Sequence, residues 1–261
     1  MISRSRSFLS SLKRNPTGVA FGRLGLFLIA GCALSGLVGA SEQLRVGETT
    51  DWVPLVEGKP YLHVIHEGRS IKVQRVQDPD YELKGYFAKT VRKCPPFCIQ
   101  PIAPASDVAP IGELELFDFM ETKLRDGSGL LIDARTESWF RKGTIPGWVN
   151  YPFTLFGKDS NDSDLVAALK DFGVRPRGEV GAVESLLESW GLSETAGKTD
   201  DWDFTSAKDL VVWCNGPACG QSPRAINGLR ELGYPGNKIK YYRGGMQMWQ
   251  LWGLTTVLPS R

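Results

Sequence analysis

Histidine is almost missing from this chain of 261 residues; His63 and His66 are the two it has. They lie three apart in a stretch that reads as a strand, so they face opposite sides and do not share a ligand site. Cysteine is scarce as well, five in all, and the close pair Cys94 and Cys98 has no second ligand pair nearby, which argues against zinc. Neither a metal nor a cofactor is expected. A one-signed charge is lacking too: the net charge is +2, and much of the positive excess sits in Arg4, Arg6, Lys13, Arg14 and Arg23. The remainder of the chain therefore carries no basic field suited to nucleic acid. Beyond residue 41 there is no apolar run long enough to cross a bilayer, and there is no internal repeat or low-complexity tract. What is present, 42% hydrophobic and 23% charged residues, is a globular composition with room for one full domain and a smaller companion.

The early basic residues precede an uncharged apolar stretch, 24–41, that closes on Val38-Gly39-Ala40, small residues that suit cleavage after Ala40. Residues 1–40 are thus expected to be an export signal, and the protein to be exported to the periplasm. Two rivals stand beside that reading. Ile29-Ala30-Gly31-Cys32 has the form of a lipoprotein box with Cys32 as the lipidated residue, and 24–41 is just long enough to remain as a membrane anchor.

Residues 42–105 have a different character and read as a small β-rich domain that offers a surface for a protein partner. Tyr61 to His66 and Ser70 to Val76 alternate apolar and polar residues, with Glu67-Gly68-Arg69 as the turn of a hairpin. The Pro-rich connector 94–110 follows. Its Cys94-Pro95-Pro96-Phe97-Cys98 suits a local disulfide or an auxiliary redox pair, since export exposes it to an oxidising compartment and proline stiffens the ring. Helical patterns are expected from 111 toward the Asp126-Gly127 turn, over 165–172 and over 183–190, with an acidic surface loop at 197–203.

The most informative stretch lies further on. Val211-Val212-Trp213 runs straight into Cys214, and Asn215, Gly216, Pro217, Ala218, Cys219, Gly220, Gln221 and Ser222 read as a tight loop. Ser222 suits a helix N-cap, Pro223 suits the first helical position, and Ala225, Ile226, Leu229 and Leu232 recur at helical spacing until Gly233. A helix N-terminus presents unpaired N–H groups and about half a positive charge, so a thiolate above it is stabilised. Cys214 is therefore expected to be ionised and nucleophilic; the alternative is a buried, inert small residue at a strand end.

The flanking segments bring a family into view. Leu130-Leu131-Ile132-Asp133-Ala134-Arg135, Glu137, Gly143-Thr144-Ile145-Pro146-Gly147 and Asn150-Tyr151-Pro152 resemble the paired signatures of rhodanese-like domains, and so does Tyr241-Tyr242-Arg243-Gly244-Gly245 followed by Trp249. With Cys214 between them in order, the resemblance covers 111–258. It implies an α/β domain with a central, mostly parallel sheet flanked by helices, preceded here by the small β-rich domain. It also implies a thiosulfate sulfurtransferase, in which Cys214 takes sulfane sulfur from thiosulfate or another donor as a persulfide and passes it to a thiol or cyanide acceptor. The chain departs from the family pattern in a longer Cys214 loop, in Gln221 where Arg often precedes the capping Ser, in Thr144 where His is usual, and in Trp148 where a small residue is usual.

Read from the residues alone, Asp133 and Arg135 at a strand end suit a structural ion pair, Arg243 closes a strand, and Trp249 belongs to the core. The loop amides from Gly216 to Ser222 suit a small sulfur-containing anion. Cys219, five residues beyond Cys214, is placed to act as a resolving thiol, which opens a second reading as a thiol-disulfide redox protein with Cys94 and Cys98 relaying electrons. A non-enzymatic exported interaction module is a third reading. Phosphatase or arsenate-reductase chemistry is a fourth; it calls for an Arg at the loop end, where Gly220 and Gln221 stand, although Arg224 lies one turn into the helix.

Overall fold

Five short strands make one parallel sheet, and its two central strands are nearly continuous apolar runs because both of their faces are covered. The computed structural model describes residues 53–177 and 197–260, with 181, 183, 186, 187 and 190 between them. The expected leader, the anchor 24–41, Cys32 and half of the helix expected over 183–190 lie outside the described residues. The described elements are β1 (Tyr61–His66), β2 (Arg69–Gln74), β3 (Ala109–Pro110), α1 (Glu113–Glu121), β4 (Gly129–Asp133), α2 (Glu137–Phe140), β5 (Trp148–Asn150), α3 (Ser163–Asp171), β6 (Arg175–Pro176), β7 (Trp202–Asp203), β8 (Asp209–Trp213), α4 (Gln221–Glu231), β9 (Ile239–Tyr241) and α5 (Gly245–Leu251). The sheet runs β3-β9-β8-β4-β5, with Leu131 opposite Val211 and Asp133 opposite Trp213.

Alternation along these strands divides the core in two. Ile132, Leu210, Val212 and Tyr241 face a cluster with Phe172 of the α3 end, Ile226 and Leu229 of α4, and Tyr234. Leu131, Val211 and Trp213 face the other way, toward Phe117 of α1 and Trp249 of α5. The β-rich region is an antiparallel hairpin, β1 with β2, that buries Leu62 and Val64 while Tyr61, His63 and Ile65 face outward. Its inner face shares the second cluster with the sheet, through Leu62, Val64 and Val73. The C-terminal strand segment stitches to it, with Val76 N–H donating to Gly253 at 2.7 Å and Thr255 N–H to Gln74 at 3.0 Å.

His63 and His66 do face opposite sides: His66 is buried and its Nδ1 accepts from Gly147 N–H at 3.2 Å. The acidic stretch expected to be a surface loop is one over 197–201, with Gly197, Asp200 and Asp201 exposed, and departs from it at its end. Trp202 and Asp203 are buried and form β7 against β6, and Asp203 is held by the Arg175 guanidinium at 2.7 Å and by the Thr205 hydroxyl at 2.6 Å. The tryptophan outweighs its acidic neighbours because a large apolar ring stabilises the fold most when covered. Among the described residues no helix is long and apolar enough to cross a membrane, and no cluster of His, Cys, Asp and Glu is suited to a metal ion.

Candidate active site

Strand β8 ends at Trp213, so Cys214 is the first residue beyond the carboxyl edge of the sheet, where such sheets gather their ligand sites. The loop is fixed from the far side by α5. Met246 N–H donates to the Cys214 carbonyl at 3.0 Å and Gln247 N–H to that of Asn215 at 3.1 Å. That approach requires glycine at two places. A Cβ on Gly245 would run into the Cys214 carbonyl, and one on Gly216, whose φ is 139°, would press on the Gln247 side chain. The Arg243-Gly244-Gly245 signature is therefore the floor under the loop.

Helix α4 begins two residues earlier than the cap pattern suggests. Gly220 is its N-cap, Gln221 opens it, and Ser222 lies inside the first turn, fully buried. The Ser222 hydroxyl does not cap the helix; it donates to Cys214 Sγ at 2.9 Å. The Cys214 thiol in turn donates to the Cys219 carbonyl at 3.2 Å. Cys214 is only 2% exposed, whereas Cys219 is half-buried; both are free thiols.

The expectation of an ionised Cys214 is corrected by this arrangement. Burial, and then the neighbouring Cys219 sulfur, push the Cys214 thiol well above the usual thiol range. Cys219 is pushed down to about 7, first by the hydrogen bond it receives from Cys214, then by backbone N–H groups of Gln221 and Asn215 and by the Arg135 charge. The two thiols titrate as a pair, and its first negative charge rests on Cys219. The amides of Asn215 and Gln221 favour an anion on Cys219, while that of Ser222 acts on Cys214.

Asp133 and Arg135 form the structural pair that the strand end suggests. Both are essentially buried, with Arg135 Nε 2.8 Å and Nη2 2.6 Å from the carboxylate. Thr144, in the position where His is usual in the family pattern, donates its hydroxyl to the same carboxylate at 3.0 Å. Arg135 also donates to the Gly143 carbonyl at 2.8 Å and reaches Asn215 Oδ1 at 3.4 Å, over the Trp213 ring. The pair thus braces the first residue of the loop and sends its field toward Cys219.

A cavity of about 280 Å³ opens over the loop, with Asn215, Gly216, Ala218, Cys219, Gly220 and Gln221 along its base and Arg224 at one side. Cys214, Pro217 and Ser222 are not on its surface. The opposite wall comes from outside the α/β domain: Tyr86, Arg92, Pro96 and Phe97, with Trp139, Phe153 and Gln247 completing the lining. Arg92 lies over Tyr86 at 4.0 Å and near Phe97 at 5.4 Å, and it donates to the Tyr86 carbonyl at 2.5 Å. Arg224 is stacked over Phe153 at 5.6 Å. The lining contains no Asp or Glu, so the cavity is electropositive and partly aromatic.

Cys94 and Cys98 form a disulfide in that wall. The stapled segment is seated on the Cys214 loop by Gln100 N–H donating to the Pro217 carbonyl at 2.8 Å, and by Arg243 donating to the Gln100 carbonyl at 2.9 and 3.2 Å. Arg243 therefore ties the wall down from outside the cavity. Arg92, Tyr86, Phe97 and Trp139 were not legible as site residues. The one signal was the Cys-Pro-Pro-Phe-Cys knot, which marks chain rigid enough to hold a wall in place.

Residues 117–251 match the model of the rhodanese-like domain. No curated protein matches the chain. Solved structures similar to it include a rhodanese-related protein from Thermoplasma volcanium, 18% identical over 58% of this chain and 99% of the other with a TM-score of 0.31. A human single-domain sulfurtransferase, TSTD1, is 22% identical over 55% of this chain and 96% of the other, with a TM-score of 0.30. The As-Sb reductase from Leishmania major is 16% identical over 56% and 79%, with a TM-score of 0.31.

Proposed function

This chain belongs to the rhodanese-like domain family, and from that premise we propose that it is a sulfurtransferase that holds sulfane sulfur as a persulfide on Cys214. The observation that carries the proposal is the placement of one free thiol, Cys219, on the base of a cavity lined by Arg92 and Arg224 and by no carboxylate, with a second free thiol, Cys214, buried behind it. Such a cavity suits a small sulfur-containing anion, thiosulfate or an organic persulfide, and a thiol acceptor. The buried Cys214 sulfur, with Ser222 donating to it, suits the storage of a persulfide away from water and stray reductants.

Treatment of the purified protein with thiosulfate tests this directly. Intact-mass and peptide mass spectrometry are expected to find a gain of one sulfur atom, retained on Cys214. Absence of any gain from thiosulfate and from an organic persulfide would sink the proposal. The Cys94–Cys98 disulfide supports a location outside the reducing cytosol, in keeping with an exported protein, and the hairpin region offers the surface for a protein partner.

One observation favours a second reading. Cys214 and Cys219 are hydrogen-bonded neighbours, so oxidation to a Cys214–Cys219 disulfide would serve thiol-disulfide exchange, with Cys94 and Cys98 as the next redox pair. Loss of two hydrogens, rather than gain of sulfur, is its mass signature.

A further inference from the structure

The sulfur that stores and the sulfur that meets the donor are different atoms. A thiol taking sulfane sulfur must approach along the donor's S–S axis, which needs a clear path on its open side. Cys214 has none. It is 2% exposed, lies off the cavity surface, and is hemmed by the Ser222 hydroxyl at 2.9 Å and the Cys219 carbonyl at 3.2 Å. Cys219 lines the cavity that Arg92 and Arg224 make attractive to an anion.

We propose that Cys219 is the entry nucleophile of a two-sulfur relay, receiving the sulfane sulfur from the donor and handing it to Cys214. The relay rests on the sulfurtransferase reading above and deepens it. In the first step the Cys219 thiolate attacks the sulfane sulfur of thiosulfate. A new S–S bond forms on Cys219, the donor's S–S bond breaks, and sulfite leaves with the bonding pair. In the second step the Cys214 proton passes to the terminal sulfur of the Cys219 persulfide, and the Cys214 thiolate attacks that sulfur. The Cys219 S–S bond breaks, and Cys219 departs as a thiolate with the pair. Cys214-SH plus Cys219-S-S⁻ thus becomes Cys214-S-SH plus Cys219-S⁻, with atoms, charge and electrons conserved and no external oxidant or reductant.

The same groups serve both steps. Backbone N–H groups of Asn215 and Gln221 hold the Cys219 sulfur as an anion, which stabilises it first as attacking thiolate and then as leaving group. The Cys214 thiol, which donates to the Cys219 carbonyl at 3.2 Å, is held beside residue 219 before the transfer. Ser222 then faces the sulfur that keeps the cargo.

The test is rapid-quench peptide mass spectrometry of the full chain with thiosulfate, using wild type, Cys214→Ser, Cys219→Ser and Cys219→Ala. Under the relay, Cys214→Ser gains one sulfur on Cys219 and retains it there, at a pH high enough to ionise Cys219 in both proteins, and both Cys219 variants load Cys214 roughly ten-fold or more slowly than wild type. Loading of Cys214 at an undiminished rate in the Cys219 variants would overturn the relay while leaving the sulfurtransferase reading intact. Folded Cys214→Ser protein that gains no sulfur would overturn it equally. A Cys214–Cys219 disulfide with release of sulfide in the wild type would show that Cys214 attacks the inner sulfur, which also ends the relay. If no version gains sulfur from thiosulfate or an organic persulfide, the sulfurtransferase reading itself falls.

Discussion

The Ser222 hydroxyl points at Cys214 Sγ from 2.9 Å, inside the first turn of the helix it was expected to cap. It is the one side-chain oxygen that donates to this sulfur among the described residues, and it favours the ionised form. Ser222→Ala removes that donor and makes the Cys214 thiol less acidic still. Loading of Cys214 with sulfur is expected to slow about ten-fold, with a stability loss near 1 kcal/mol. Quenched-flow labelling and urea unfolding measure the two separately; an unchanged loading rate would remove Ser222 from the chemistry.

Cys219 is held down to about 7, so its thiolate is present above that pH and disappears below it. Alkylation by iodoacetamide is expected to concentrate on Cys219 and to rise as pH increases through about 7. The largest cause of the depression is the hydrogen bond from Cys214. In Cys214→Ser the midpoint is therefore expected to move upward if the serine hydroxyl donates less well to the thiolate. A profile centred on Cys214 instead would overturn the assignment of charge within the pair.

Arg92 and Arg224 approach the same cavity from two different parts of the chain. Arg92→Gln and Arg224→Gln are each expected to raise KM for thiosulfate about ten-fold, with kcat little changed, because a charge-assisted contact to the bound anion is lost. Added salt should weaken binding to the wild type more than to the variants. Steady-state sulfur transfer across ionic strength checks this. A drop in kcat at constant KM would instead place the arginines in the transfer step.

Asp133 and Arg135 are paired with side chains 0% and 1% exposed. Asp133→Asn leaves the guanidinium buried without its counter-charge and is expected to cost about 3–5 kcal/mol. Because Arg135 also reaches Asn215 and lends its charge to Cys219, the folded fraction should show a more acidic Cys219, the guanidinium field no longer being offset by the carboxylate. Chemical denaturation and thiol titration of the same preparation read both effects, and a loss under 1 kcal/mol would contradict the packing described.

The parallel sheet was legible because Leu130-Leu131-Ile132 and Leu210-Val211-Val212 are unbroken apolar runs, and unbroken runs belong to strands covered on both faces. The strand, loop and helix around Cys214 were legible from Trp213, the loop glycines, Pro223 and the helical spacing that follows. Trp202 was misread because its local composition is acidic, and composition says nothing of what a ring packs against. The stapled wall was out of reach for a similar reason: Arg92 shares a cavity with Asn215 to Gln221, more than a hundred positions further along the chain.

By itself the order of residues determined where a thiol follows a buried strand, which segments turn, and that Cys94 and Cys98 sit close enough to join. Periodicity and turn chemistry act over a few residues, and those features are local. Which of the two loop thiols carries the charge, and which one meets solvent, was decided only by tertiary structure. Burial and the aim of backbone N–H groups depend on how distant elements close around a sulfur, and both effects turned the charge from Cys214 to Cys219.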